Sequence, residues 1–327
     1  MAGWGWVARI EAWEMQFVNC AIFPSFTKLT LPPNVKGPEA LSFDPRGGGP
    51  YASVADGRIL KYLGLNIGFN DYATTSSLRT KQQCDGANAS AASTCGRPLG
   101  NTFNFLTGEL YVVDIKFGFL VVPSGGGLAT QLATGFNGIP FDLPNALDID
   151  QLNQVVYFTD SGAIFLTQNM TQIVQSGDTS GKLFKYDIKT KQITLLLSGL
   201  GGPTGVAVSQ DSAYLVISEY IFSRIRKFWL RGPLAGSSEI LINLQGSPDN
   251  IKRTILGDFW VAVAVMQQQP IQTSSAIGLR FNGFGNVVAS VNFTSQFNGN
   301  PISEVQENFG RLYFGSLTEN FVGVYGI

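Results

Sequence analysis

GPEALSF (Gly37–Phe43), LGNTFNF (Leu99–Phe105), LPNALDI (Leu143–Ile149), GPTGVAV (Gly202–Val208), SPDNIKR (Ser247–Arg253) and NPISEVQ (Asn300–Gln306) are six versions of one pattern. Each opens on a turn, then presents an oxygen-bearing residue, then an apolar one two places on. The polar column reads Glu39, Asn101, Asn145, Thr204, Asp249 and Ser303. The apolar column reads Leu41, Phe103, Leu147, Val206, Ile251 and Val305. A period of roughly 45 to 60 residues is the mark of a β-propeller, whose blades each bury a sheet face against the next. Equivalent strand starts converge on the axis of such a ring. Two carboxylates and several amide or hydroxyl oxygens there suit a hard cation or a polar small molecule.

Between these segments the chain reads as strands. ALSFDP leads to PYASVADGRILKY, ALDIDQLNQVVYFTDSG to GKLFKYDIKTKQITLLL, and GVAVSQDSAYLVISEY to RIRKFWL. Val, Ile, Tyr, Phe and Thr fill the runs, and Asp-Gly or Ser-Gly marks the bends. The expected fold is all-β: one six-bladed propeller over 26–327, after an N-terminal extension over 1–25. The last repeat, GRLYFGSL then FVGVYGI, is one strand short, so FTKLTL from Phe26 is expected to complete it and close the ring. Closure removes exposed sheet edges. The spacing within FLTQNMTQIVQSG, Phe165–Gly177, is compatible with a short helix or a plain surface loop, and GDTSGK at Gly177 reads as a turn, because it lacks the spacing of a phosphate-binding loop.

Composition narrows the chemistry. The 327 residues include 22 basic and 23 acidic ones, a net charge of -1, so no overall field draws in nucleic acid or an anionic membrane. No nucleotide cofactor motif is present. There is no histidine. Catalysis through an imidazole is thereby excluded, leaving carboxylates, Lys, Tyr or metal-bound water. No stretch of 18 apolar residues makes a transmembrane helix, since Asp114 and Lys116 break LYVVDIKFGFLVV.

Cys84 and Cys95 bracket CDGANASAASTC, a loop with little core of its own. A bridge would stabilise it by roughly 3 kcal/mol in the chain-entropy model; the alternative is two free thiols at the surface. Sequons at Asn88, Asn169 and Asn292 favour the bridge, because they point to the secretory route. The first 23 residues do not read as a signal peptide, with Arg9, Glu11 and Glu14 interrupting any apolar stretch. Cys20 reads as a free thiol.

The runs GLATQLATGFNGIPF, GKLFKYDIKTKQITLLL, SPDNIKR and ISEVQENFGRLYFGSL resemble the plant strictosidine synthase-like proteins, over nearly all the chain after about Phe26. The resemblance implies a six-bladed propeller related to paraoxonases and gluconolactonases, a disulfide at Cys84 and Cys95, and a vacuolar, secretory or extracellular location. Strictosidine synthase itself condenses tryptamine with secologanin by means of a glutamate in the sixth blade. That position aligns here with Ser303, with Glu304 beside it, so true synthase activity is not expected. Related calcium-dependent hydrolases imply a Ca2+ site in which Glu39, Asn145 and Asp249 match the ligands, Asn250 adds an amide oxygen and Thr204 replaces an Asn. Three functions follow as expectations. The favoured one is metal-assisted ester or lactone chemistry on a small molecule, with Asn101, Leu99 and Leu143 contacting substrate and Ser303 and Glu304 as catalytic candidates. The others are an amine and aldehyde condensation with Glu304 or Glu39 moving the proton, and a ligand-binding propeller without catalysis.

Overall fold

The computed structural model describes residues 25–167, 170–267 and 273–326. Six antiparallel sheets stand around one axis. Their innermost strands are Leu41–Ser42, Pro98–Phe103, Pro144–Asp150, Pro203–Val208, Ser247–Arg253 and Glu304–Asn308, one for each segment quoted above. Blade 1 gains a fifth strand, Gly127–Leu128, which runs parallel to Phe69–Thr74. Blade 6 is closed as expected. Phe26–Thr30 pairs antiparallel with Phe321–Gly326, Phe26 opposite Tyr325 and Thr30 opposite Phe321.

Second strands such as Leu110–Asp114 are buried along their whole length, because a neighbouring blade covers each face. They therefore carry unbroken apolar runs instead of alternating ones. Aromatic rings fill the wedges between blades. Phe119 of blade 2 stacks on Phe158 of blade 3 with centroids 4.8 Å apart, and Phe158 on Phe184 at 5.2 Å. Phe293, Phe297 and Phe314 pack with Phe26 where the ring closes.

A second column of acids, in LYVVD, VYFTD and LVISE, ties each blade to its own entry turn. Asp114 accepts the Arg97 N–H at 2.7 Å, Asp160 that of Leu143 at 2.7 Å and Glu219 that of Gly201 at 3.2 Å. These carboxylates satisfy backbone donors just upstream of the inner strands, where no ladder partner exists.

The Cys84–Cys95 disulfide is formed, with Cα atoms 5.5 Å apart. Short helices Lys81–Cys84 and Ala92–Cys95 flank it. Asp56 holds the loop to blade 1 by accepting the Gly86 N–H at 2.9 Å while pairing with Arg58 at 2.6 Å. The helical interruption is two short helices, Ile164–Thr167 and Met170–Ser176. Gly177–Ser180 is an irregular connection into Gly181–Asp187. Asn88 and Asn292 are exposed, each with its side-chain oxygen accepting from the Ser90 or Thr294 of its own sequon. Asn169, Cys20 and almost all of the 1–25 extension lie outside the described residues.

Candidate axial site

The register of the blades is set by prolines, not by the polar residues. Pro98 pairs with Asp114, Pro144 with Asp160 and Pro203 with Glu219. A register shift follows in each case before regular pairing resumes. Counting one residue past the proline places Glu39, Leu99, Asn145, Thr204, Asp249 and Ile302 in equivalent positions. Two residues past it come Gly100, Gly205 and Ser303. A side chain at Gly100 would strike the Asn145 carbonyl, 2.8 Å from an added Cβ, and one at Gly205 that of Asp249 at 2.6 Å. Ser303 uses the same geometry differently: its hydroxyl donates to the Glu39 carbonyl at 2.7 Å. The polar column read from the sequence is therefore out of register in blades 2 and 6. In blade 6 the slip is one place, which turns a strand side chain to its other face; in blade 2 it is two places, across the register shift after Pro98.

Asn101 and Ser303 thus sit between blades. The Asn101 amide donates to the Ser53 hydroxyl at 2.8 Å and the Ala40 carbonyl at 3.2 Å, and accepts from Ser42. Thr204, although in the axial position, likewise staples blades, donating to the Pro248 carbonyl at 2.9 Å beside Ser218. Leu99 and Leu143 are buried at the same end of the ring.

What remains for the axis is a compact polar set. Asn250 donates its amide to Glu39 Oε1 at 3.0 Å, reaching from blade 5 to blade 1 across blade 6. The register shift between Pro248 and Ile251 lets the consecutive Asp249 and Asn250 both serve this region. Glu39 Oε2 and Asn145 Oδ1 are buried and have no hydrogen-bond partner. Below them, Glu304 is fully buried. Its Oε1 accepts the Leu41 N–H at 2.7 Å, and its Oε2 pairs with Lys252 Nζ at 3.2 Å. Arg97 donates to the Gly37 carbonyl at 3.0 Å and supplies a second buried cation.

Burial pushes the Glu39 and Asp249 carboxyls well above the usual range. Glu39 is pushed further by Asp249 and, less, by Glu304, with Arg97 and Lys252 opposing; Asp249 is pushed further by Glu304. Burial raises Glu304 to about 7, with Lys252 and the Leu41 N–H holding it from going higher. Asp249 is somewhat more exposed than Glu39 and Glu304, but burial is still the largest cause of its shift. Anionic crowding of this kind is what a cation relieves. No group of three or more acidic or cysteine side chains is gathered tightly enough to hold a metal by itself among the described residues. Any ion would rest on Glu39 and Asp249 together with the neutral oxygen of Asn145, a donor set that suits Ca2+ better than a softer metal. A cleft of about 270 Å³ lies elsewhere, between blades 3 and 4, lined in part by Tyr157 and Trp229. The converging buried acids, not that cleft, make the axis the candidate site.

Comparison with known proteins agrees with this architecture. The strictosidine synthase family model matches residues 145–233, and the strictosidine synthase-like N-terminal model matches residues 25–62. A strictosidine synthase-like protein of Arabidopsis thaliana is 40% identical over 302 residues, covering 92% of this chain and 89% of its own. Strictosidine synthase of Catharanthus roseus is 36% identical over 306 residues, covering 92% and 86%. Among solved structures, a gluconolactonase of Xanthomonas campestris superposes with a TM-score of 0.65 at 14% identity, covering 93% of this chain and 89% of its own. A calcium-binding regucalcin of Agrobacterium tumefaciens gives 0.62 at 13%, covering 92% and 91%. At such identities the structural likeness speaks for the fold alone. The identity to its plant relatives, over more than nine-tenths of the chain, shows that this protein belongs to the strictosidine synthase-like family.

Proposed function

We propose that this chain is a small-molecule enzyme whose axial oxygens bind a divalent cation, most suitably Ca2+, and which acts on an ester, lactone or similar carbonyl. The observation that carries the reading is the pair of buried, unpartnered oxygens, Glu39 Oε2 and Asn145 Oδ1, beside the carboxyl of Asp249, which burial and Glu304 push up. Unsatisfied buried acceptors cost about 1 to 3 kcal/mol each unless something fills them. Glu39, Asp249 and Asn145 would hold the ion, which when bound would polarise a carbonyl. Asn250 orients Glu39 through its amide. Glu304, at about 7, is poised to take and return a proton near neutral pH, with Lys252 steadying its charged form. Leu99 and Ile302 give the ring an apolar side against which the non-reacting part of a substrate can rest.

A second reading, an amine and aldehyde condensation with Glu304 moving the proton, draws on the same carboxyl. It needs no cation. Ser303 does not assist it, since its hydroxyl is committed to the Glu39 carbonyl.

Calorimetry of chelator-treated protein against Ca2+ tests the first reading. Binding heat is expected, and Glu39→Gln should weaken affinity by roughly a hundredfold, since a charged ligand becomes a neutral one. Absence of heat from the unaltered chain would remove the cation from the proposal, and turnover of amine and aldehyde mixtures in excess chelator would replace it with the second reading.

A further inference from the structure

The end of the ring opposite Glu39 and Asn145 has a different character. Antiparallel connectivity sends every turn between first and second strands, and between third and fourth, to that end. Contacts between turns confirm that they meet there: Phe105 N–H donates to Gln151 Oε1 at 2.9 Å between blades 2 and 3, and the Phe309 ring lies against Gly47 between blades 6 and 1. Exposed apolar tips such as Leu106, Leu152 and Phe284 stand on these turns, with acids and bases mixed among them. Between blades 3 and 4 the turns part around the cleft of about 270 Å³. That lies just below the range of about 300 to 1,000 Å³ in which drug-sized ligands bind, so the cleft has room for one small metabolite.

The cleft combines an apolar wall with leftover polar groups. Tyr157 of blade 3 and Phe228 of blade 4 are buried in the cluster between the two blades, and Leu196 and Leu230 pack against it. Two hydroxyls of the lining are not used by the fold. Tyr157 is 6% exposed and Ser212 3%, yet neither hydroxyl makes a hydrogen bond within the chain among the described residues. Buried polar groups are seldom left so unless something outside the chain meets them. Burial pushes the Tyr157 hydroxyl up to about 12, with Asp150 adding to the rise and Arg231 opposing it. An acid and a base therefore both stand near that oxygen, which remains a neutral donor.

Charges of both signs line the cleft. Asp150 accepts the Leu152 and Asn153 N–H groups at 3.1 and 3.0 Å and the Asn153 amide at 2.5 Å. A carboxylate offers about four such positions, so Asp150 keeps one. Lys185 lies opposite Tyr157 in the ladder and is half-buried; Arg231 is exposed in the turn after the third strand of blade 4. Neither forms an ion pair among the described residues. Asp187 and Asp211 feel these two cations, but they accept from their own turns, Asp187 from the Lys189 and Thr190 N–H groups and Asp211 from Ser209 and Ala213.

We propose that this cleft binds a free amino acid with an aromatic or branched apolar side chain. The α-carboxylate meets Arg231 and Lys185, the α-ammonium takes the position Asp150 keeps, and the side chain lies on Phe228, Leu196 and Leu230. The Tyr157 hydroxyl, near both charges, donates to the carboxylate. Only a ligand carrying both charges answers this lining. A plain organic anion would leave Asp150 facing it unpaired, and a plain amine would leave Arg231 and Lys185 so; each mismatch costs affinity. The proposal is independent of the axial chemistry, because the cleft opens at the other end of the ring.

The test is calorimetry of the full chain in chelator, titrated separately with L-phenylalanine, 3-phenylpropanoate and 2-phenylethylamine. L-Phenylalanine should bind, and each analogue, lacking one of its two charges, should bind at least about tenfold more weakly. Arg231→Gln should lower the affinity for L-phenylalanine about tenfold and leave the thermal melt unchanged, since that side chain is exposed and makes no ion pair. No heat with L-phenylalanine overturns the proposal. So does 3-phenylpropanoate binding as tightly, which would make the cleft a simple anion site. Equal binding of 2-phenylethylamine would overturn it by moving the contact to the axial acids, and binding that survives Arg231→Gln unchanged would overturn it by placing the ligand outside the cleft.

Discussion

The two ends of this propeller break the rule of apolar inside and polar outside in opposite directions. At the axial mouth, Glu39, Asp249 and Glu304 crowd together with Arg97 and Lys252 where burial is expensive. At the far end, Leu65, Ile255 and Phe284 stand in water. The blade walls between them are largely apolar within, and their buried polar groups, such as Asp114 and Asn101, are hydrogen-bonded. One repeat unit thus carries two kinds of departure. The residues that build the ring leave both ends free to depart from the rule.

The mouth should respond to pH in a way the far end cannot. Glu304 is raised from 4.5 to about 7, and Glu39 and Asp249 are raised as well. The native state then holds more protons than the unfolded chain between those values, so stability is greatest at the acid side of the window and falls as pH rises through it. Glu304 alone accounts for about 3 kcal/mol at 1.36 kcal/mol per pH unit. The melting temperature of chelator-treated protein should fall from pH 4.5 to 7, and Ca2+ should flatten that fall if the axis binds it. A melting temperature that rises across the window would mean that these acids are not crowded as described.

Replacing Cys84 and Cys95 by serine tests the mouth's frame. The bridge closes a short loop, with a sequence separation of 11, so its loss should cost about 3 kcal/mol in the chain-entropy model. Differential scanning calorimetry should show a melting temperature several degrees lower, with the transition still cooperative. The smallest effect belongs to the far end. Leu152→Ser, at a side chain 78% exposed, should change stability by less than about 0.5 kcal/mol. A larger loss would mean that the tip packs against something within the chain.

The fold was legible because six segments repeat and the turn chemistry between them is unambiguous. Closure by Phe26–Thr30 was legible too, since a strand missing at one terminus must come from the other. The axial register was not. Oxygen-bearing residues drew the alignment in blades 2 and 6, whereas Pro98 and the register shift after it fix which residue enters the axis. Aligning on proline would have placed Leu99 and Ile302 there from the start. The acids Asp114, Asp160 and Glu219 repeat just as regularly but pass unnoticed beside apolar strands. Nor can a sequence reveal that Leu106 and Phe284, 178 positions apart, share one end; only the ring gathers them.

The seam in blade 6 has a mechanical consequence. Phe26 lies opposite Tyr325 and Thr30 opposite Phe321, so the two chain ends leave the ladder from the same side. Tension applied between them would load the backbone hydrogen bonds one after another, as in peeling tape, instead of all together as in shear. Five residues of strand therefore hold the ring shut as a zipper, and it would open at low force into an arc whose remaining blades are still folded.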